Sequence, residues 1–282
     1  MSKFGPFSLY TKTPNDIRFG KLYTLDVELP IPYSPKRTVR VYLPEDFDEN
    51  KKYPLLVMAD GQNIVDKYTT AFGAWDIDVH EHNLIEKGQK SFIVLGIDSP
   101  KDSLHRALEY SFPFMRGLKG GDGDALYKTR LKFESHLLNK YIVEYLVPLV
   151  RKYFPVSDRK EDIGAGGASM GGIFALTLPA AYPETFGFSL IFSPGFFLYS
   201  LDEIKKYLDG VIQGLKKNKL FFYSGNVGFE SNFIESTKAI YQYFADKGFD
   251  KNRIEITLDL KAEHNETSWS KHFEEAIEFW QK

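Results

Sequence analysis

The fold is decided by the stretch IGAGGASMGGIFAL, which spans residues 163–176. Its first residues predict a buried strand, and the apolar residues that follow Met170 predict a helix. Between them lies the pattern G-x-S-x-G over residues 167–171, with Ser169 on the turn. Small residues are needed beside this serine because larger side chains would collide with neighbouring backbone. Ser169 is therefore a predicted nucleophile; the alternative is a glycine-rich packing turn with an inert serine.

The rest of the chain repeats this alternation of strand and helix, which is typical of a mostly parallel sheet with helices on both faces. Polarity alternates along Leu22–Leu29 and Arg37–Leu43, which predicts an antiparallel edge. The other predicted strands are Leu55–Ala59, Phe92–Ile97, Ile163–Gly166, Phe188–Phe192, Leu220–Tyr223 and Ile254–Leu260. The predicted helices are Ile77–Lys87, Leu126–Tyr153, Met170–Tyr182, Asp202–Leu215, Phe233–Lys247 and Trp269–Trp280. We expect about eight strands in one α/β domain over residues 1–282, with residues 1–20 as an N-terminal extension.

Several turn residues predict where these helices begin and end. Gly88, Gly210 and Gly248 are predicted left-handed caps at helix C-termini, and Ser231 or Asn232 is the predicted N-cap of the helix that follows. The longest interruption runs from Asp98 to Asp124, and loops of such length in a compact domain are usually functional.

Composition narrows the classes of function. Lys and Arg together number 36 and Asp and Glu number 38, so the net charge of −2 gives no basic face for a nucleic acid. Zero cysteines exclude disulfides, thiolate nucleophiles and zinc–sulfur sites. No stretch resembles a signal-peptide core or approaches the ~20 apolar residues of a membrane span. We expect a cytoplasmic protein with neither a nucleic-acid nor a membrane partner, and the pattern leaves its oligomeric state open.

A serine nucleophile needs a histidine to take its proton and an acid to hold that histidine. In enzymes with this strand-to-helix turn the chain order is serine, acid, histidine, which leaves His264 and His272. His272 falls within a predicted helix, whereas His264 follows a predicted strand, where α/β sheets place their sites. His264 is therefore the predicted general base.

The acid is expected in residues 224–230, the loop that follows the predicted strand Leu220–Tyr223. Glu230 is the only carboxylate in that loop, and the nearest competitor, Glu235, is expected to face solvent from a helix. The alternative interpretation of Glu230 is a glutamate in a first helical turn, stabilised by the helix dipole. The turn at Ser169 also directs the Met170 N–H and the helix N-terminus toward negative charge that develops beside the serine.

Two other groups of residues contain side chains that can bind metal ions, but neither group provides a complete set of ligands. His80 and His82 are two residues apart on a helix and so lie on different faces. Asp122 and Asp124 in a glycine-rich loop do not make a ligand set. We expect neither a metal ion nor any other cofactor.

These residues, together with further motifs, resemble the putative-esterase family of α/β-hydrolases, which includes esterase D, enterochelin esterases, feruloyl esterases and related acyltransferases. The similar segments are Asp60-Gly61-Gln62-Asn63, Gly73-Ala74-Trp75, Arg106-Ala107-Leu108-Glu109-Tyr110, residues 120–124, residues 167–172 and residues 263–269. They span roughly residues 20 to 280.

The resemblance implies an α/β-hydrolase fold, with Ser169 as nucleophile, His264 as base and Glu230 as acid. Family members often place the acid in a shorter turn than the one here. The oxyanion hole would be formed by the N–H groups of Met170 and Gln62. Asp60 stands where some relatives have histidine.

The resemblance also suggests substrate-binding roles for Trp75, Arg106 and Tyr110. Trp75 would line the acyl or alcohol pocket, and Arg106 and Tyr110 would form a pocket wall. The alternative is structural: a buried tryptophan at a helix start, and an Arg106–Glu109 ion pair with a packed tyrosine.

The leading hypothesis is a serine carboxylic-ester hydrolase that acts through an acyl-enzyme on a small-molecule ester. A first rival is an acyltransferase with the same triad, in which an alcohol replaces water. A second is a catalytically idle binding module on the same fold. Transfer to an added alcohol distinguishes the first rival, and failure of Ser169 to react with a fluorophosphonate distinguishes the second.

Overall fold

The computed structural model describes residues 3–32, 35–70, 73–113 and 134–282. In chain order, the strands β1 to β9 are Ser8–Leu9, Lys21–Glu28, Lys36–Leu43, Leu55–Ala59, Ile93–Ile97, Ile163–Ala168, Phe188–Phe192, Lys219–Gly225 and Ile254–Asp259. Within the described residues they form one sheet in the order β1-β2-β3-β5-β4-β6-β7-β8-β9. Strands β5 to β9 and β4 are mutually parallel, whereas β1, β2 and β3 add an antiparallel edge.

The strand pattern confirms the predicted mostly parallel sheet and its antiparallel opening pair. All eight predicted strands are present, with ends displaced by a few residues at most. The additional strand, β1, lies in the segment expected to be an N-terminal extension, and it pairs with β2 through Ser8 and Leu9. The side chain of Phe7 is fully buried beside it. Two paired residues are too few for a periodicity in the sequence to reveal them.

Nine helices of the described chain are numbered α1 to α9: eight have seven residues or more, and the shorter α8 is included because it follows His264. They are Ile77–Glu86, Ser103–Tyr110, Ser135–Tyr141, Val147–Tyr153, Met170–Ala181, Leu201–Leu215, Ile234–Asp246 and Glu266–Ser270, and the last helix, α9, is Phe273–Gln281. In the described part of the chain, no helix is long and apolar enough to cross a membrane.

Two predicted helices are interrupted. A π-helical turn, Ile142–Leu146, separates α3 from α4, where Pro148 cannot supply the backbone N–H that a continuous α-helix requires. The predicted helix Trp269–Trp280 instead begins at Glu266, because the Asn265 side chain accepts a hydrogen bond from the Ser268 N–H at 2.9 Å. It breaks before Phe273.

The predicted helix ends are correct at two glycines and wrong elsewhere. Gly88 and Gly248 have φ values of 78° and 77° and follow α1 and α7. Gly210 lies inside α6, which continues through it because its buried apolar face packs on the core. Ser231 and Asn232 do not cap α7; they belong to the 3-10 turn Gly228–Asn232, and their side chains bond to carbonyls within that turn.

The expected long loop from Asp98 to Asp124 is partly helical. The side chain of Asp102 accepts a hydrogen bond from the Leu104 N–H at 3.0 Å and so caps α2. The remainder of that loop from residue 114 onward, including Asp122 and Asp124, lies outside the described residues.

The core lies on both faces of the sheet, as the continuous apolar strands predict. Along β4, Leu55 and Val57 face one cluster, which α2 to α7 cover, while Leu56 and Met58 face the other, which α1 and α9 cover. The strand order reverses between β4 and β6, because β5 is added on one side of β4 and β6 on the other. Such a reversal leaves a crevice beyond the strand C-termini, where α/β proteins bind their ligands.

Candidate active site

Ser169 occupies a strained turn at the C-terminal end of β6. Its φ of 62° and ψ of −122° lie in a region that non-glycine residues rarely adopt, and helix α5 begins with the next residue. The Ser169 N–H donates to the Phe192 carbonyl at 3.0 Å, and the Ser169 carbonyl accepts from Gly195 at 3.1 Å. The backbone of the neighbouring strand therefore holds this turn in place.

The glycines beside Ser169 are required by close backbone approach. A Cβ atom on Gly167 would lie 2.6 Å from the Gly171 carbonyl oxygen, and one on Gly172 would lie 2.7 Å from the Phe192 carbonyl oxygen. The collision with neighbouring backbone that the sequence pattern predicts is thus present at Gly167.

His264 and Glu230 form a hydrogen-bonded pair, with His264 Nδ1 against Glu230 Oε2. His264 follows β9, and Glu230 lies in the 3-10 turn after β8. The Glu230 side chain is fully buried, whereas that of His264 is 15% exposed. Because a carboxylate can only accept, Nδ1 carries the proton and Nε2 is left as the basic nitrogen.

The second oxygen of Glu230 is surrounded by donors. Glu230 Oε1 accepts the Gly225 N–H at 2.7 Å and the hydroxyl of Ser193, and the Ser224 hydroxyl lies 3.4 Å away. These donors satisfy the acceptor oxygen of a fully buried carboxyl group, as burial of a polar group requires.

Aromatic rings fix the imidazole of His264 from three sides. The Phe233 ring stacks on it with centroids 4.2 Å apart, and the rings of Phe229 and Trp269 meet it edge-on at 5.3 Å and 4.9 Å. Phe233 and Trp269 are buried, whereas Phe229 is 61% exposed. The exposed ring of Phe229 gives the site an apolar surface beside its basic nitrogen.

Two backbone N–H groups near Ser169 are without hydrogen-bond partners among the described residues. One belongs to Met170, the first residue of α5, and the other to Gln62, in the turn that follows β4. The Gln62 side chain is fixed by two bonds to Ser99, of 2.9 Å and 3.0 Å. These are the two donors that the family resemblance assigns to an oxyanion hole.

Arg106 and Tyr110 support the turn that carries Gln62. The Arg106 guanidinium donates to both carboxylate oxygens of Asp60, at 2.7 Å and 2.8 Å, and the Tyr110 hydroxyl accepts the Asp60 N–H at 3.1 Å. Asp60 itself has a φ of 55° and begins the turn. The expected Arg106–Glu109 ion pair is wrong, because Arg106 turns to Asp60 while Glu109 pairs with Arg37.

Substrate contact by Trp75 and Tyr110 does not agree with their burial. Their exposed fractions are 2% and 1%, and the Trp75 ring stacks on that of Trp269 at a centroid distance of 6.0 Å. Both side chains therefore pack in the interior of the protein. The Arg106 side chain is 26% exposed, so it alone of the three reaches solvent.

A hydrogen bond joins the turn at Gln62 to the segment after His264. The Asn63 side-chain amide donates to Glu266 Oε1 at 2.6 Å. Burial raises the pKa of Glu266, and the hydrogen bond from Asn63 and the charge of Arg106 oppose that rise. The pair therefore joins the turn after β4 to the segment after β9.

Another buried carboxyl lies behind this region. Burial raises the pKa of Glu109 to about 7, against the opposing charge of Arg37. Glu134 raises it further. Glu109 is 1% exposed and contacts none of the residues proposed for catalysis. Its pairing with Arg37 therefore has a structural role.

The residues that the sequence analysis rejected as base, acid or metal ligands make no contact with the His264–Glu230 pair in the described part of the chain. His272 precedes α9 and contacts Asp259 at 3.3 Å, and Glu235 lies on the exposed side of α7. His80 and His82 point to different neighbours, Glu274 and Glu45. Among the residues with described positions, no group of three metal-binding side chains occurs.

Within the described residues, the Ser169 hydroxyl has no hydrogen-bond partner, and its partial exposure leaves it open to solvent. Hydrogen bonds of catalytic groups are often long in unliganded enzymes and shorten when substrate binds. The structure thus brings His264 and Glu230 into direct contact, and it places Ser169 on a turn whose N–H bonds to the end of β7. Among the described residues, it shows no hydrogen bond between His264 and Ser169.

Sequence reasoning did not find Ser193, Phe233 or Asp60's link to Arg106. Ser193 has a positive φ of 39° directly after β7, and it precedes a proline. A serine between a buried strand and a Pro-Gly pair marks the end of a strand, but it does not reveal a bond to a glutamate 37 residues later. Only the folded sheet brings those two side chains together.

The mostly parallel sheet and the strained serine turn between β6 and α5 define the α/β-hydrolase fold. Residues 33–202, more than half of the chain, match the model of the family described as putative esterase. The chain belongs to the putative esterase family, and it is a carboxylic ester hydrolase. The matched region contains Gln62 and Ser169 and ends before Glu230 and His264. No curated protein matches the chain significantly.

Solved structures resemble the fold at low sequence identity. The BES protein from Bacillus cereus has a TM-score of 0.70 at 14% identity, over 97% of this chain and 99% of its own. A ferulic acid esterase has a TM-score of 0.68 at 16% identity, with coverage of 94% and 98%. The enterobactin esterase FES from Shigella flexneri has a TM-score of 0.65 at 17% identity, and the match covers 96% of this chain and 60% of that one.

Proposed function

We propose that this chain is a serine esterase that hydrolyses small-molecule carboxylic esters through an acyl-enzyme, with Ser169 as nucleophile, His264 as base and Glu230 as acid. The observation that carries the proposal is the contact between His264 Nδ1 and the buried carboxylate of Glu230. It leaves Nε2 as a proton acceptor at the edge of the sheet where the serine turn lies.

Acylation begins when Ser169 Oγ attacks the ester carbonyl carbon while its proton passes to His264 Nε2. The carbonyl oxygen becomes negative in the tetrahedral intermediate and accepts hydrogen bonds from the N–H groups of Met170 and Gln62. The bond to the alcohol oxygen then breaks, and His264 gives its proton to the departing alcohol. The acyl group remains on Ser169.

Deacylation uses the same groups with water in place of the serine. His264 takes a proton from water as the hydroxide oxygen attacks the acyl carbon. When the bond to Ser169 Oγ breaks, the proton returns from His264 to the serine, and the carboxylic acid leaves. Glu230 keeps its charge throughout and stabilises the imidazolium that forms in each half-reaction.

The substrates are expected to carry an apolar group near the imidazole. The exposed ring of Phe229 contacts His264 at a centroid distance of 5.3 Å and Phe197 at 6.2 Å. Aromatic and acyl groups pack well on such rings. One structural neighbour is a ferulic acid esterase, so an aromatic acyl ester belongs in the first substrate panel.

The test uses p-nitrophenyl esters from acetate to octanoate, together with methyl ferulate, and a fluorophosphonate that reacts with activated serines. Wild type is compared with Ser169→Ala and with Ser231→Ala, a control whose exposed hydroxyl bonds to the Gly228 carbonyl. We expect ester turnover and covalent labelling in wild type and in the control, and neither in Ser169→Ala. Full turnover by Ser169→Ala would overturn the proposal.

A further inference from the structure

Ser193 is a fully buried serine in a backbone conformation that does not suit it. Its φ is 39°, in the left-handed region, and Pro194 follows it. Non-glycine residues rarely adopt this region, and the residue before a proline prefers an extended conformation. Such strain persists only where the surroundings enforce it, and it is concentrated at functional positions. The Ser193 N–H is held by the Tyr223 carbonyl at 2.7 Å.

The Ser193 hydroxyl lies between two polar groups with fixed roles. The Trp269 indole N–H approaches Ser193 Oγ at 2.9 Å, and an indole nitrogen can only donate. The oxygen therefore accepts from Trp269, and its own proton is directed to the other neighbour, Glu230 Oε1. The tryptophan thus determines which way the serine hydroxyl points.

The contacts of Ser193 lead through Glu230 to His264, the proposed base. Glu230 Oε1 receives the Ser193 proton, Glu230 Oε2 receives the proton on His264 Nδ1, and the edge of Trp269 lies against the His264 ring. These four side chains form a closed ring of contacts around one carboxylate. With Oε1 occupied by Ser193 and Gly225, only Oε2 is available to the imidazole.

We propose that Ser193 is a positioning residue for ester hydrolysis: its hydroxyl, oriented by Trp269, holds Glu230 as a carboxylate with Oε2 directed at His264. The proposal rests on the proposed function and deepens it, because it assigns a role in catalysis to a residue that does not touch the substrate. Loss of the hydroxyl removes one donor from the carboxylate and leaves the Trp269 N–H without its acceptor.

The proposal has a signature in the pH dependence of the rate. A carboxylate with fewer donors binds its own proton more tightly and also holds the protonated form of His264 more tightly. Both effects move the acidic limb of the kcat/KM profile to higher pH. Among the described residues, His264 and Tyr223 are titratable groups that face Glu230, and burial raises the pKa of Tyr223, so the phenol stays neutral over this range.

The experiment replaces Ser193 by alanine and, in a second variant, by glycine, which accepts the φ of 39° without strain. The matched control is Ser189→Ala on the same strand, because Ser189 is equally buried and its hydroxyl has no partner in the described part of the chain. For the two Ser193 variants we expect kcat/KM to fall about 10- to 100-fold, mainly in kcat, and the acidic limb to rise by about 0.5 to 1 pH unit. The control should match wild type.

A double variant separates positioning from simple loss of packing. In a Glu230→Gln background, Ser193→Ala should change kcat/KM less than twofold, because the carboxylate on which it acts is gone. The proposal is overturned if both Ser193 variants retain wild-type rate and pH profile, or if their loss is undiminished in that background. Failure of the esterase assignment itself looks different, since Ser169→Ala would then retain turnover.

Discussion

His264 has a counterpart in the same molecule, because the imidazole of His80 also faces a glutamate, and it contacts a serine hydroxyl as well. His80 Nδ1 contacts Glu274 at 2.8 Å, and His80 Nε2 contacts the Ser270 hydroxyl at 2.6 Å. We call Ser169, His264 and Glu230 the candidate triad and Ser270, His80 and Glu274 the second arrangement. The two imidazoles are almost equally exposed, at 15% and 16%, so their access to solvent does not separate them.

The serines differ most. Ser270 is the last residue of α8, is 5% exposed, and donates its hydroxyl proton to the Trp75 carbonyl at 3.0 Å. Ser169 is on a strained turn, and among the described residues the N–H groups of Met170 and Gln62 have no hydrogen-bond partner outside their own elements. A nucleophile must release its proton to the histidine and have donors for the oxyanion, and Ser270 meets neither requirement.

The glutamates differ in a second way. Glu230 is buried among uncharged donors and serves one histidine. Glu274 is shared by His80, Lys87 and Asn83, and although burial opposes the change, these hydrogen bonds lower its pKa to about 2. It ties α1 to α9 as an ion-pair network. The comparison teaches that the residue types of a triad do not define a site; the backbone around the serine does.

The strongest test of this comparison is a pair of serine substitutions. We expect Ser169→Ala to lower kcat by about 10³- to 10⁶-fold, because the acyl-enzyme can no longer form. Ser270→Ala should retain kcat within about twofold. Both are measured with p-nitrophenyl acetate, and circular dichroism checks that each variant is folded. A large loss in Ser270→Ala with a normal spectrum would contradict the distinction.

The next effect concerns the glutamates. Glu230→Gln is expected to lower kcat by about 10²- to 10⁴-fold, because an amide no longer stabilises the imidazolium or fixes its tautomer. Glu274→Gln, the matched control, should leave kcat nearly unchanged. Steady-state kinetics at pH 8 decide the point. Equal losses of kcat in the two variants would mean that the second arrangement contributes to ester hydrolysis as much as the candidate triad does.

The oxyanion side of the candidate triad gives a smaller effect. Arg106→Lys replaces a two-bond contact with Asp60 by a single point charge, which loosens the turn that carries the Gln62 N–H. We expect kcat to fall about 10-fold with little change in KM, since the donor acts on the transition state. An unchanged kcat, measured over a full substrate titration, would show that the Arg106–Asp60 contact is not needed to hold the Gln62 N–H in place.

The smallest effect is on stability and belongs to the second arrangement. Glu274 has a folded pKa near 2, below its ordinary value of 4.5, so it stabilises the fold above pH 4.5 and less as the pH falls toward 2. We expect Glu274→Gln to lower the free energy of unfolding by about 1–2 kcal/mol at pH 5, after allowance for solvent screening. Urea unfolding at pH 5 and pH 3.5 should show the gap between the two proteins narrowing. A gap independent of pH would assign the loss to packing.

Much of the sheet could be predicted because its strands carry a local signal. The apolar run Leu55–Ala59 predicts a strand buried on both faces, and the structure agrees at both ends. Helix α2 was missed because the cap at Asp102 acts over only two residues in a segment that has no long apolar stripe. Gly210 was misread because packing of α6 on the core outweighs the preference of one glycine.

The candidate site was predictable only where chemistry and chain order combine. Ser169 is predicted by the G-x-S-x-G motif, and His264 is predicted by the order of strands and helices. Both remain predictions, and the geometry supports them. Glu230 was reached by elimination within its loop. The contacts of Ser193 and of Asn63 join distant elements, and no local pattern in the sequence contains information about them.

The hydrogen bond between Asn63 and Glu266 spans 203 residues of chain. During synthesis, Asn63 and the serine turn emerge before Glu230, His264 and Glu266 have been made. A nascent chain that ends before residue 264 therefore lacks the histidine that we propose as the base. Chemical competence would arrive in a single late step, when the segment after β9 closes onto the sheet, and a pulse-labelled ribosome-bound chain would acquire fluorophosphonate reactivity only then.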